Sequence, residues 1–280
     1  MADPAAIGAH TFGFVWQDDA AGAIRRLAAS GLRRFQLMAM APHLDPCADN
    51  AAQIADIRAT VASHGAEILA IDLASSECNL ASTSPGIADA AVALYRRVLE
   101  LGAAAGARAL TINSGRSHAL LPPPDDRLER AFRRSLDALI VAARARGMRI
   151  LIENIPGMVL ARAETLRGFL DRGGYQDVGV LYDVTNALAI GEDPVEGMSI
   201  LAPHLRLLHL SDAPRGVWRH VPVGTGDVDF RAILRQAKAI GYRGPIVIEV
   251  IGADPLADLL ASRARIAAIG AEVGFWDGSP

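Results

Sequence analysis

Short apolar runs of the β type alternate with amphipathic stretches of helical spacing from one end of the sequence to the other. This alternation is typical of a parallel sheet in which a helix follows each strand. Since eight strands close a barrel, the pattern predicts an α/β fold of the (β/α)8 type, a TIM barrel. The predicted strands are 7–14, 34–40, 67–73, 109–113, 149–154, 178–183, 205–210 and 245–250.

The stretches between the strands begin at capping residues and end at glycines, as helices commonly do. Asp18, Asn50, Ser84 and Asp229 are the expected amino-terminal caps, and Pro85 follows one of them at the first helical position. The segment 121–126, with three consecutive prolines, is expected to be a long loop at the active-site end. The predicted helices are 18–31, 50–65, 84–106, 127–146 and 229–241.

The alternation runs on without a glycine-rich or proline-rich linker, so the chain is expected to form one domain over residues 1–280. A doubly wound open sheet is the competing fold. That fold usually carries a glycine-rich phosphate-binding turn after its first strand, and residues 11–18 contain none.

Four consecutive predicted strands, the fifth to the eighth, end in a side chain that can bind a metal. They read RILIEN, VGVLYD, LRLLHL and PIVIEV, and the candidates are Glu153, Asp183, His209 and Glu249. A single carboxylate at a strand end is most often a helix cap or the partner of an arginine, but three that converge repel one another unless a cation neutralises them. Because carboxyl ends of barrel strands face the active-site loops, the four residues predict a divalent metal centre. Their oxygen-rich set favours Mn2+, with Mg2+ or Co2+ as alternatives, over structural zinc.

Composition and charge limit the kinds of partner and the cellular location that we expect for the chain. The net charge is -3, and the single lysine, Lys238, and the scattered arginines form no basic stripe, so nucleic acid is disfavoured. Cys47 and Cys78 lie outside any CxxC pattern and are expected to be reduced thiols. The sequence shows neither a signal peptide nor an apolar run long enough for a membrane span, which favours a soluble cytoplasmic protein.

Five segments, taken together and in this order, resemble the xylose isomerase-like TIM-barrel superfamily over nearly the whole chain. This superfamily holds sugar phosphate isomerases and epimerases, dehydratases and apurinic endonucleases of family 2. The segments are ENIPG (153–157), YDVTNA (182–187), HLSD (209–212), HVPVGTGDVDF (220–230) and IVIEV (246–250).

The resemblance implies a metal-dependent isomerase or epimerase acting on a small polyhydroxylated keto compound. Glu153, Asp183, His209 and Glu249 match the four metal ligands of the ketose 3-epimerases. In those enzymes the two glutamates also exchange a proton with the substrate carbon, so Glu153 and Glu249 are the candidate catalytic pair. The expected intermediate is an enediolate. A homo-oligomer, dimeric or tetrameric, fits the same resemblance.

Further polar residues near the strand ends are candidates for binding a substrate rich in hydroxyl and keto oxygens. The resemblance maps Arg215 onto an arginine that contacts substrate oxygens in epimerases, and it places His220 in a loop near the pocket. Asn186, His43 and Asn113 complete the candidate substrate-binding set. Weaker candidates are His10, Gln36, Glu77, Asn79, Arg116 and His118, with Trp16 and Trp218 as candidate apolar walls.

Two departures from the epimerase pattern keep a second function open. Asn186 stands where epimerases commonly carry a histidine, and an amide cannot shuttle a proton near neutral pH. The apolar run 158–160 occupies the place of a further glutamate.

A lyase of the same fold, an inosose or 3-dehydroshikimate type of dehydratase, is therefore the alternative, and GEDP (191–194) suits either branch. A non-catalytic barrel that binds metal or ligand is the third possibility. Endonuclease IV is disfavoured, because seven histidines are few for its three-metal cluster.

Overall fold

The computed structural model describes residues 7–74 and 78–276. Within them, eight parallel strands pair in chain order, and the eighth pairs with the first, so that the sheet closes into a barrel. The predicted (β/α)8 fold is confirmed. The strands are β1 Ile7–His10, β2 Arg34–Ala39, β3 Glu67–Leu73, β4 Ala109–Ile112, β5 Arg149–Glu153, β6 Gly179–Asp183, β7 Leu205–Leu210 and β8 Ile246–Ile248.

Helices follow the strands around the outside of the barrel, and two short helices stand between β6 and β7. Among the described helices, none combines the length and the apolar character needed to cross a bilayer. The helices are α1 Ala20–Ala29, α2 Ala51–Ser63, α3 Pro85–Ala105, α4 Asp125–Arg144, α5 Ala163–Gly173, α6 Val184–Ala189, α7 Pro194–Leu201, α8 Phe230–Ala239 and α9 Pro255–Glu272.

Apolar side chains form two kinds of core. The larger one joins the helices to the outer face of the barrel; in it the buried rings of Phe132 on α4 and Phe169 on α5 lie 5.3 Å apart. A separate cluster draws only on strand residues, as expected of side chains that fill a barrel interior. Its members are Leu69, Ala70, Ala109, Leu151, Leu181, Leu207 and Val247.

The first strand is shorter than predicted. It ends at His10, and Phe12–Phe14 form a 3-10 helix instead of continuing the strand. The chain turns here beside the end of β8, where a Cβ on Gly13 would lie 2.6 Å from the carbonyl oxygen of Val250. The apolar residues of this segment therefore pack in a turn, which a strand pattern does not distinguish. The last strand is also shorter than predicted, so that Glu249 comes directly after β8.

Helix boundaries differ by a few residues from the prediction. Asp19, and not Asp18, caps α1, because its Oδ1 accepts the Gly22 backbone N–H at 2.6 Å. Asn50 precedes α2 as predicted, but its side chain makes no cap bond. Asp229 caps α8 as predicted, accepting the Ala232 N–H at 3.0 Å. Ser84 likewise precedes α3 without a side-chain cap bond, and α4 begins at Asp125, which shortens the loop predicted over 121–126.

Candidate metal centre and its pocket

The four predicted metal ligands come together at the carboxyl ends of β5 to β8. Glu153 and Asp183 are the last residues of β5 and β6, His209 lies one residue before the end of β7, and Glu249 follows β8. All four side chains are buried, and each offers a ligand atom within 4.8 Å of the others. The register of the parallel strands thus places three carboxylates and one imidazole around one point.

Asp183 has one satisfied and one unsatisfied oxygen. Its Oδ1 accepts the backbone N–H groups of Thr185 and Asn186 at 2.7 and 2.8 Å and so caps α6. Its Oδ2 is buried without a hydrogen-bond partner, 3.7 Å from the Nδ1 atoms of His209 and His220. A buried carboxylate oxygen with no partner is costly, so this atom needs a cation or a proton. The donor set therefore fits a divalent metal.

A chain of hydrogen bonds orients His209 towards the centre. The carboxylate of Asp72 can only accept, so Gln36 turns its Nε2 to Asp72 Oδ1, at 3.1 Å, and its Oε1 to His209 Nε2, at 2.8 Å. The Gln36 carbonyl oxygen accepts from His209 Nε2, and this bond directs the other ring nitrogen, Nδ1, towards the carboxylates. Glu249 Oε2 lies 2.9 Å from that Nδ1. Support of this kind is typical of the second layer around a metal.

Burial and charge perturb the carboxylates in opposite directions. Burial raises the pKa of Glu153 well above its ordinary value, and neighbouring carboxylates, first that of Glu249, raise it further. Burial also raises the pKa of Asp183. Burial also acts to raise the pKa of Glu249. Three neighbouring histidines, led by His220 and His209, outweigh this effect and hold the pKa of Glu249 below its usual range. Two glutamates of contrasting acidity thus share one site.

The centre opens into a cavity of about 150 Å³ that is lined by polar and apolar side chains. The lining residues that carry a polar group are Asp72, Glu153, Asn186, Trp218, His220 and Glu249. The apolar lining residues are Phe12, Met38, Met40, Leu73, Ala74 and Ile155. Among these described residues there are three carboxylates and one histidine, and neither lysine nor arginine.

Asn186 links Glu153 to the loop that carries Trp218. Its Nδ2 donates to Glu153 Oε1 at 3.2 Å, and its Oδ1 accepts from Trp218 Nε1 at 2.7 Å. The amide therefore bridges the carboxylate of a candidate metal ligand and a half-exposed aromatic side chain that lines the cavity. Trp218 lines the cavity, whereas Trp16 is 75% exposed and is not among the lining residues.

His220 faces the centre from the loop after β7. Its Nδ1 lies 2.9 Å from Ser211 Oγ and 3.7 Å from Glu249 Oε2. Asp212 holds this loop in place, because its two carboxylate oxygens accept four backbone N–H groups. The donors are Ala213, Gly224, Thr225 and Val228, at 2.8 to 3.1 Å.

Three other predicted substrate contacts lie away from this cavity. Both ring nitrogens of buried His43 bond to protein groups, Nδ1 to the Asp18 carbonyl at 2.6 Å and Nε2 to Thr11 Oγ1 at 3.0 Å. Asn113 is equally engaged, donating to the Tyr95 hydroxyl at 2.9 Å. Arg215 is exposed, with its backbone N–H bonded to Asp227.

Asp72 is the cavity residue that sequence reasoning missed. It bonds to His10 Nε2 at 3.0 Å as well as to Gln36, and so braces the centre from β3. Its signal in the sequence is a lone acid inside the apolar run EILAIDL (67–73). Of the weaker candidates, Glu77 lies outside the described residues, and Asn79 donates to the carbonyl of Arg116.

Comparison with known proteins places the chain among TIM barrels of one family. Residues 24–273 match a family model described as xylose isomerase-like TIM barrel, which confirms the resemblance found in the motifs. The L-ribulose-5-phosphate 3-epimerase UlaE of Shigella boydii serotype 18 is 31% identical over 96 residues. That alignment covers 33% of this chain and 34% of UlaE, so the chain matches about a third of the length of this curated relative.

Solved structures of sugar epimerases share the fold. A D-tagatose 3-epimerase-like protein superposes with a TM-score of 0.85 at 18% identity, over 97% of this chain and 99% of the other. An L-ribulose 3-epimerase superposes with a TM-score of 0.78 at 19% identity, over 97% and 95% of the two chains. At these identities the likeness shows the architecture.

Proposed function

The chain belongs to the xylose isomerase-like TIM-barrel family, and from this premise we propose that it is a divalent-metal-dependent epimerase or isomerase of a small ketose. The observation that carries the proposal is the buried cluster of Glu153, Asp183, His209 and Glu249 at the floor of the cavity. The three relatives described above are named as sugar epimerases or as epimerase-like, which supports the same reaction class.

These four residues would hold the metal, and Mn2+ suits the mixed set of carboxylates and imidazole, as do Mg2+ and Co2+. When bound, such an ion supplies positive charge that polarises a carbonyl and makes the adjacent C–H more acidic. The unpartnered Oδ2 of Asp183 and the orientation of His209 Nδ1 towards the carboxylates support this assignment.

Glu153 and Glu249 are the proposed acid and base. They belong to β5 and β8, which are not neighbours in the barrel, and both line the cavity, so they reach a ligand from different sides. One carboxylate removes the proton next to the substrate carbonyl, which leaves an enediolate, and the other returns a proton to the opposite face. The carbon is thereby inverted.

Asn186 and His220 are the residues we assign to substrate hydroxyl groups, because both line the cavity beside the carboxylates. Asn186 also positions Glu153 through the bond to its Oε1. Arg215 does not line the cavity, but it is exposed on the same loop after β7 as His220 and remains a proposed substrate contact from that loop. His43 and Asn113 are proposed to support strand ends, since neither of them lines the cavity and both are hydrogen-bonded to other protein groups.

The absence of lysine and arginine from the described cavity wall favours an unphosphorylated sugar. A phosphate dianion placed there would face three carboxylates without a cationic side chain to bind it. This proposal separates the chain from its partly aligned relative UlaE, which is named for a sugar phosphate.

Metal content and turnover test the proposal together. The purified chain, dialysed with Mn2+ and then freed of excess, is expected to retain about one ion per chain and to interconvert at least one pair of 3-epimeric ketoses. Glu153→Gln is expected to lower kcat by about 10² to 10⁴, the usual contribution of a positioned acid or base. Glu164→Gln, an exposed change on α5, is the matched control.

Two results contradict the proposal. If the chain retains no metal and Glu153→Gln behaves as the unsubstituted protein does, the cluster is not a catalytic centre. If the chain instead converts an inosose or 3-dehydroshikimate to a product lighter by one water, the dehydratase alternative is correct.

A further inference from the structure

A ring of arginines surrounds the opposite, amino-terminal end of the barrel. Arg34 and Arg149 begin β2 and β5, Arg206 lies near the start of β7, and Arg108 and Arg243 shortly precede β4 and β8. Because the strands are parallel, their amino-terminal ends meet at one mouth, so five guanidinium groups from five strands face a common space. One carboxylate, that of Glu67, lies among them.

The charges in this ring are not balanced. Glu67 pairs with two arginines, its Oε1 lying 2.9 Å from Arg34 Nε and its Oε2 2.5 Å from Arg108 Nη2. Among the described residues, Arg206 and Arg243 donate to backbone carbonyls beside them in the chain, those of Leu205 and Tyr242. Within residues 7–74 and 78–276, Arg149, Arg206 and Arg243 have no carboxylate within salt-bridge distance.

The ring encloses a cavity and does not lie on a flat surface. The cavity measures about 670 Å³, within the range of about 300 to 1,000 Å³ that small-molecule sites occupy. Its floor is apolar and includes Leu69, Leu151 and Leu207 from the cluster that fills the barrel. This apolar interior separates the ring from the carboxylates at the other end.

We propose that this cavity binds a small anion that carries two or more phosphate groups. Five arginines against one glutamate leave four positive charges, which repel one another in a concave site until an anion is bound. A single monovalent anion leaves most of that charge unopposed, whereas a linked pair or triplet of phosphates reaches several guanidinium groups. The planar fork of arginine binds phosphate oxygens in pairs, and the ring holds arginines without lysine.

The two ends of the barrel thus carry opposite charge. Carboxylates converge where the strands end, and guanidinium groups converge where they begin. The anion is a ligand separate from the sugar, and its phosphates come either from an inorganic polyphosphate or from a nucleoside di- or triphosphate. Both sources present the same phosphate chain to the arginines.

Titration calorimetry at low salt tests the proposal. The chain is used in its metal-free form, because polyphosphates chelate divalent metal ions. The probes are inorganic triphosphate and ATP. One site per chain is expected, weakened as NaCl rises from 50 to 300 mM because the arginines are partly exposed. Equal affinities indicate recognition of the phosphate chain alone, and tighter binding of ATP identifies the nucleoside phosphate as the source.

The double variant Arg149→Gln/Arg206→Gln is expected to bind triphosphate at least roughly tenfold more weakly, because charge-assisted contacts are the strong ones. Arg58→Gln/Arg219→Gln, which removes the same charge elsewhere, is the matched control and is expected to stay within about threefold. Hydrogen exchange on the unsubstituted chain gives a second readout that needs no variant, with added protection expected at the starts of β5 and β7. No saturable heat, or equal weakening in both double variants, overturns the proposal.

Discussion

The proposed metal centre predicts a reversal of stability order between the protein and its Glu153→Gln variant. In the metal-free chain three carboxylates lie buried with ligand atoms within 4.8 Å of one another. Two unit charges at that separation repel by about 3 to 4 kcal/mol at an effective dielectric constant of about 20. Protonation of Glu153, whose pKa is raised, relieves part of this repulsion. Replacing Glu153 by the neutral amide is therefore expected to stabilise the metal-free fold by roughly 1 to 2 kcal/mol at pH 8.

Addition of Mn2+ is expected to invert the order. A ligand at about 100 times its Kd stabilises the folded state by about 2.7 kcal/mol. For a domain of this size that corresponds to a rise in Tm of roughly 5 to 10 °C. Glu153→Gln lacks a charged ligand, so at the same Mn2+ concentration its Tm is expected to rise by less than half as much.

Differential scanning calorimetry of both proteins, with EDTA and with Mn2+, measures the four Tm values. Glu164→Gln serves as the control, because this exposed change on α5 removes the same charge outside the buried cluster. The control is expected to match the unsubstituted protein in both conditions. Equal Mn2+-induced shifts in Glu153→Gln and the unsubstituted chain would show that Glu153 is not a ligand and would refute the electrostatic reasoning.

Further predictions concern the loop, the substrate and pH. Trp218→Phe removes the bond to Asn186 Oδ1 and is expected to raise KM about two- to tenfold at unchanged Tm, measured by steady-state kinetics. Asp212→Asn leaves backbone N–H groups without their acceptor and is expected to lower the free energy of unfolding by about 3 kcal/mol in urea titrations; an unchanged value contradicts this. Ketose phosphates are expected to give kcat/KM at least roughly tenfold below that of the unphosphorylated sugars, because a phosphate would lie among carboxylates. In metal-free protein the folded state keeps a proton on Glu153 that the unfolded state has lost, so unfolding free energy is expected to fall as pH rises above 4.5, and Glu153→Gln should flatten that slope.

The sequence predicted the barrel because its evidence is local and repeated. Each strand is an apolar run followed by a stretch with helical spacing, and eight repetitions leave few alternatives. Residues 11–14 were predicted as part of the first strand but are not, and this difference has a physical cause. Gly13 packs against the backbone at Val250, which is remote in sequence, and Phe14 is buried in a turn where an apolar pattern suggests a strand.

The candidate ligands were predictable for a related reason. Parallel strands end at one face, so polar residues at consecutive strand ends must lie near one another. The supporting bonds were not predictable in this way. The bond between Gln36 and His209 joins residues 173 positions apart, and His43 shares the rim with the ligands but turns both ring nitrogens to other protein groups. Side-chain direction at a strand end depends on such partners, which a single sequence does not specify.

The most direct test of the central claim is the fate of the substrate's α-proton. The Mn2+-loaded chain is incubated in D2O with unphosphorylated ketoses, and the products are followed by NMR and mass spectrometry. Proton abstraction by one carboxylate and return from the other predict a 3-epimer that carries solvent deuterium at C3, with no loss of mass and with the exchange abolished in Glu249→Gln. Epimer that forms without deuterium, or exchange that survives in Glu249→Gln, would contradict the account.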